Sequence, residues 1–125
     1  MNKRILIVDD ELSILIICEK FLSRQGYNIT TANSLDDFKT IFEENNFDLV
    51  LSDFNINRES GLEVLSIVKN KAPSTGVIIM SGSLLNLDME TILSKNNAPD
   101  AFLTKPFEKD ELVGTVNSYF SEVCR

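Results

Sequence analysis

Four places in the chain hold residue types that could do chemistry: Asp9-Asp10-Glu11, Asp53, Ser81-Gly82 and Lys105-Pro106. Each follows a short apolar run. Carboxylates with no histidine or cysteine beside them are hard oxygen donors, which select magnesium or a similar ion over zinc. Two carboxylates ~5 Å apart repel by about 3 kcal/mol at an effective dielectric of about 20. A site that gathers three of them needs a cation. Asp10 and Asp53 are the expected metal ligands, with Asp9 acting through water. Magnesium takes one or two carboxylates, keeps waters, and spends the rest of its shell on phosphate oxygens. Asp53, alone behind its apolar run, is then the expected nucleophile, because a carboxylate can accept a phosphoryl group as a covalent intermediate. Lys105 and the Ser81 hydroxyl would stabilise the phosphoryl oxygens from the other side.

Composition narrows the classes further. The chain has 125 residues, the size of one ordinary domain spanning 1–125. It contains no histidine, which removes His-based triads, His general bases and most zinc sites. Two cysteines, Cys18 and Cys124, make neither a metal site nor a disulfide framework. A net charge of −7, from 19 acidic and 12 basic residues, repels phosphate backbones, so direct nucleic-acid binding is not expected. The N-terminus lacks the apolar run of about 7–15 residues that a signal peptide requires. Ile14 to Cys18, the longest apolar run, is far short of the roughly 20 residues of a membrane span. A cytoplasmic location without membrane attachment is the expectation.

The elements that must position these residues alternate along the chain. Ile5 to Val8, Asp48 to Leu51 and Val77 to Met80 are β-branched-rich runs without polar alternation, the pattern of parallel strands buried on both faces. Asn28 to Ala32 and Ala101 to Thr104 are weaker runs of that kind. Between them lie stretches of helical period, clearest in Leu112, Val113, Val116, Phe120 and Val123. Punctuation agrees. Gly26 is expected at the C′ position of the first helix, Ser34 with Asp37 caps the second, and Ser60 with Glu63 fits a capping box for the third. Pro73 closes the third helix and Pro99 precedes the fifth strand. Five β-then-α units imply a doubly wound α/β fold, a five-stranded parallel sheet between two layers of helices. Such sheets bind ligands beyond the carboxyl ends of their strands. Any one polar residue there reads as a helix cap; chemistry-bearing residues at four strand ends of five do not.

Taken together, these residues resemble the receiver domain of two-component response regulators, along essentially the whole chain. The resemblance rests on Val8-Asp9-Asp10-Glu11, Asp53, Gly61 eight residues later, Ser81-Gly82 and Lys105-Pro106-Phe107. It implies a flavodoxin-like sheet of order 2-1-3-4-5, with Asp53 as phosphoacceptor and a histidine kinase or phosphotransfer protein as donor. It further implies that the Asn55 carbonyl completes the magnesium shell and that the Lys105-Pro106 bond is cis. Ser81 and Phe102 are the implied switch residues, read by an unidentified output protein on the helix 4–strand 5–helix 5 face. A dimer formed on phosphorylation fits the same implication. One departure stands out: the family's usual proline four residues after the acceptor is Asn57 here, which implies a looser loop altering metal affinity or phosphoryl lifetime.

Simpler roles compete at several positions. Phe102 serves equally well as core or as switch on its residue type alone. Cys18 lies on the apolar stripe of the first helix and reads as packing. The apolar stretch Ser83 to Met89 reads first as packing on the sheet and second as a docking patch. Three other functions compete with this reading. An electron-transfer flavoprotein of this architecture would meet Asp9-Asp10-Glu11 where a flavin phosphate must sit. A phosphohydrolase with an aspartyl intermediate would need an acid–base aspartate where Asn55 stands, so external turnover is not expected and only slow self-dephosphorylation is. A receiver belonging to a larger DNA-binding regulator or hybrid kinase has the same chemistry in another context.

Overall fold

The computed structural model describes residues 3–82 and 98–123. In chain order the elements are β1 (Arg4–Val8), α1 (Leu12–Ser23), β2 (Asn28–Ala32), α2 (Leu35–Glu44) and β3 (Leu49–Asp53). A small hairpin of β4 (Asn55–Ile56) and β5 (Glu59–Ser60) follows, then α3 (Leu62–Lys71), β6 (Gly76–Ser81), β7 (Ala101–Thr104) and the C-terminal helix α4 (Lys109–Val123). The expected fourth βα helix, the Ser83–Met89 stretch and Cys124 lie outside the described residues. No described helix is long and apolar enough to cross a membrane.

The main sheet runs β2-β1-β3-β6-β7 with every pair parallel, which is the expected 2-1-3-4-5 order. Alternate side chains leave the sheet on opposite faces. Leu6, Val8, Val50, Val77 and Ile79 pack with Phe38 and Phe42 of α2 and Val64, Leu65 and Val68 of α3. Ile5, Ile7, Leu49, Leu51, Ile78 and Met80 pack with Leu15, Cys18 and Leu22 of α1 and Leu112, Val116 and Phe120 of α4. Both faces of the central strands β1, β3 and β6 are therefore dry, which is why these strands carry no polar alternation. Each fully buried Leu, Ile or Val contributes roughly 1.5–3 kcal/mol, so the central strands anchor everything built on their ends.

Several local expectations shift. β3 begins and ends later than predicted: Asp48 lies outside it, its carboxylate accepting from the Arg4 N–H at 2.8 Å, and Asp53 is the last strand residue rather than a loop residue. Ser34 caps α2 as expected, its Oγ accepting from the Asp37 N–H at 3.0 Å. The Ser60–Glu63 capping box does not form. Gly61 is the N-cap of α3, and Ser60 Oγ instead accepts from the Leu62 N–H at 3.1 Å. Helix α1 ends at Ser23 with Arg24 as its cap, which puts Gly26, at φ +94°, one position beyond C′. Glycine is still what that left-handed conformation calls for.

Candidate phosphoacceptor site

Strand register gathers the site. Val8 pairs with Ser52, Ser52 with Ile79, and Ile79 with Phe102, so one row crosses four strands at equal depth. The next residues along each strand, Asp9 and Asp53 among them, emerge together where the winding reverses between β1 and β3. That reversal is where such sheets leave a crevice. Ser81 ends β6 opposite Thr104 of β7, and Lys105 follows directly.

Asp9 is fully buried and doubly held. Its Oδ1 accepts from the Glu11 N–H at 2.9 Å and its Oδ2 from Lys105 Nζ at 2.6 Å. Lys105 Nζ also lies 3.4 Å from Asp53 Oδ1 and 3.8 Å from Glu11 Oε1. One ammonium thus faces three acids. One carboxylate oxygen each of Asp9, Asp10 and Asp53 lies within 4.8 Å of the other two.

The electrostatics follow. Burial pushes the Asp53 carboxyl up from 3.8 to about 6, the neighbouring Asp9 charge adds to this, and Lys105 and the Asn55 N–H oppose it. Asp9 is also raised by burial, against the pull of its Lys105 hydrogen bond. Burial alone would lower Lys105, but the hydrogen bond and charge of Asp9, with Asp53 and Glu11, raise it overall. Two acids held above their ordinary range beside one ammonium have more negative charge than the protein itself neutralises. Hard oxygen donors in this state fit a divalent cation such as magnesium.

The remaining predicted residues take distinct places. Asn55 opens the hairpin, paired with Ser60. Ser81 is buried at the strand end. Phe102 is half-buried and packs against the α2–α3 core, on the side of the sheet that β6 gives to Ile79 and Ser81. The Lys105-Pro106 bond is cis. Cys18 is fully buried, and burial, with the charge of Asp9, pushes its thiol up to about 12, in keeping with a packing role.

Two contributors were not assigned roles from residue types. Gly61 donates its N–H to the Phe54 carbonyl at 2.6 Å, and a Cβ there would press into the Asp53 carbonyl oxygen. Gly61→Ala is therefore expected to cost about 1–3 kcal/mol through backbone displacement at Asp53, measured by urea unfolding. An unchanged unfolding midpoint would rule out this packing role. Asn57 is the second. Its main-chain N–H donates to Asp10 Oδ2 at 3.1 Å, from a turn in which Asn57 has φ +51° and Arg58 φ +71°. Antiparallel pairing of Asn55 with Ser60 and of Ile56 with Glu59 flanks this turn. Asparagine's tolerance of positive φ was the available signal.

Comparison with known proteins gives the family and the fold. The family described as response regulator receiver domain matches residues 5–117. The alginate biosynthesis transcriptional regulatory protein AlgB of Pseudomonas putida is 34% identical over 110 residues, covering 87% of this chain and 24% of that protein. A CheY-like receiver domain protein from Methanospirillum hungatei superposes with a TM-score of 0.88 at 27% identity, covering 98% of this chain and 96% of the other. The response regulator TrrA of Thermotoga maritima, solved in complex with Mg(2+)-BeF, has a TM-score of 0.79 at 33% identity, covering 93% and 97%. The chain spans between about a fifth and a half of the length of the curated relatives it matches.

Proposed function

This chain belongs to the response regulator receiver domain family, and from that premise we propose that Asp53 accepts a phosphoryl group from the phosphohistidine of a kinase or phosphotransfer protein. The observation that carries this reading is the convergence of the Asp9, Asp10 and Asp53 oxygens within 4.8 Å, with Lys105 Nζ 3.4 Å from Asp53. A carboxylate oxygen of Asp53 attacks phosphorus. The O–P bond forms as the P–N bond of the donor breaks, and the freed imidazole nitrogen keeps the bonding pair and takes a proton from solvent.

Asp10, Asp53 and the Asn55 carbonyl would hold magnesium, with Asp9 reaching it through water. Bound there, the ion neutralises charge building on the phosphoryl oxygens. Lys105 pairs with those oxygens from the opposite side. The Ser81 hydroxyl shifts toward the phosphoryl group once it is attached, and Phe102, one register step back on the same side of the sheet, repacks with it. Signalling is then a shift in population between two packings, read by a partner on the face that includes β7 and α4. Leu12 and Ile16 lie one turn apart at the start of α1, which begins directly after Glu11, and are 69% and 56% exposed. They are the apolar surface an incoming protein donor would cover.

The partial coverage of the curated relatives supports a second reading of context: a receiver that works within a larger DNA-binding regulator or hybrid kinase. The cytoplasm, where kinase and donor chemistry reside, is the proposed location in either case.

Intact mass after incubation with acetyl phosphate tests the chemistry. Addition of a single phosphoryl group, dependent on magnesium, is expected. Failure of both phosphoryl uptake and beryllofluoride binding would overturn the reading. With a protein donor, Leu12→Ser together with Ile16→Ser is expected to slow transfer at least several-fold while leaving the acetyl phosphate rate unchanged. Equal slowing with both donors would count against docking on α1.

A further inference from the structure

We infer that Asn57 is a positioning residue for the phosphoacceptor site, holding Asp10 in place through its main-chain N–H. The inference rests on the reading of Asp10 as a magnesium ligand and adds a residue to it.

Asp10 is the exposed member of the acidic trio, whereas Asp9 and Asp53 are buried in the strand ends. Asp9 is fastened by Lys105 and the Glu11 N–H, and Asp53 is faced by Lys105. Asp10 has neither of these fastenings. Like charges on both sides would drive its side chain outward to water. Among the described residues the restraint that opposes this is the Asn57 N–H, 3.1 Å from Oδ2, a donor to a charged acceptor. A carboxylate held through one oxygen keeps the other for an ion.

The backbone conformation makes this donation possible. Asn57 and Arg58 both sit at positive φ, +51° and +71°, as the two central residues between β4 and β5. Two-residue hairpin turns of this hand aim their flanking strands correctly, at a cost for any residue other than glycine. Asparagine bears that cost best among the others. Ile56, fully buried beside the turn, anchors the hairpin in the core, and Asn57 Nδ2 lies 3.5 Å from the Asn33 carbonyl at the foot of α2. Proline at this position could neither adopt φ +51° nor donate an N–H. The residue that replaces the family's usual proline is thus the one whose main chain reaches the metal-ligand acid.

The test compares magnesium binding by calorimetry in the full chain, Asn57→Gly and Asn57→Pro, with unfolding measured alongside. Asn57→Gly keeps the N–H and the positive φ, and its affinity is expected to stay within about two-fold of the parent. Asn57→Pro is expected to bind magnesium about 10-fold more weakly, the range seen when a partner of a ligand is removed. A folded Asn57→Pro with parental magnesium affinity would overturn the inference while leaving Asp10 as a ligand. Absence of magnesium binding by the parent chain would overturn both. Should Asn57→Pro not fold, amide NMR of the metal-free chain decides. The Asn57 amide proton is expected to move upfield and exchange faster in Asp10→Ala, and an unmoved amide would overturn the inference.

Discussion

Asp53→Asn is expected to abolish phosphoryl uptake from acetyl phosphate at every magnesium concentration, and also to make the metal-free protein more stable near neutral pH. The first effect follows from removing the only nucleophilic oxygen pair faced by Lys105 at the end of β3. The second follows from the cost of charging Asp53. Burial, and then Asp9, raise its pKa from 3.8 to about 6. A carboxyl whose pKa is higher in the folded state stabilises that state fully below the unfolded pKa. The contribution is lost as pH rises through the folded value. Above about pH 6 the charged group carries a penalty of roughly 3 kcal/mol, which the neutral amide of nearly the same shape avoids. In chelator, urea unfolding should give parent and variant equal stability near pH 3, below the unfolded pKa of 3.8. The variant's advantage should grow to about pH 6 and stay level beyond. Added magnesium should shrink that advantage, because the ion offsets the same penalty in the parent. Phosphoryl uptake by the variant would move the acceptor elsewhere. A pH-independent difference would mean that Asp53 charging is not what the substitution relieves.

Lys105→Met carries the largest expected loss of stability. The ammonium is 2.6 Å from Asp9, which is fully buried, and 3.4 Å from Asp53. Removing one partner of a buried pair leaves the other charge without compensation and costs about 3–5 kcal/mol. The methionine keeps most of the packing volume, so the loss measures charge rather than a cavity. Sign matters again. The acids left behind titrate upward when their cation is gone, so the deficit should be largest at neutral pH and shrink as pH falls toward 5. Millimolar magnesium should restore part of it. A loss below about 1 kcal/mol in chelator, the scale of an exposed pair, would show that water rather than Lys105 compensates Asp9.

Parts of this molecule can be read from residue types because their cause is local. A run such as Ile5 to Val8 is apolar on both sides because both sheet faces are covered, so its composition alone announces a buried parallel strand. Ser34 with Asp37 announces a helix start because the two residues that bond are three apart in the chain. The Ser60–Glu63 pattern looked the same and failed, since a hairpin just before it delays the helix until Leu62. Two-residue strands such as β4 and β5 are too short to leave a period in the sequence. The turn between them carries no glycine to mark its left-handed residues.

The sequence by itself determined the chemical inventory: hard oxygen donors, one ammonium directly behind a short apolar strand, no histidine, and alternating elements that must wind into a parallel sheet. Those properties reside in single side chains and in short-range periodicity. Tertiary structure alone decided the distances. Asp9, Asp53 and Lys105 are far apart in the chain and meet because strand register sets Val8 level with Ser52 and Ile79 level with Phe102. It also decided that a main-chain N–H at Asn57 reaches Asp10 and that Gly61 must lack a side chain beside the Asp53 carbonyl. Backbone donors and close approaches depend on how separate segments pack. A residue's type says which groups it offers, and the fold decides which of them meet.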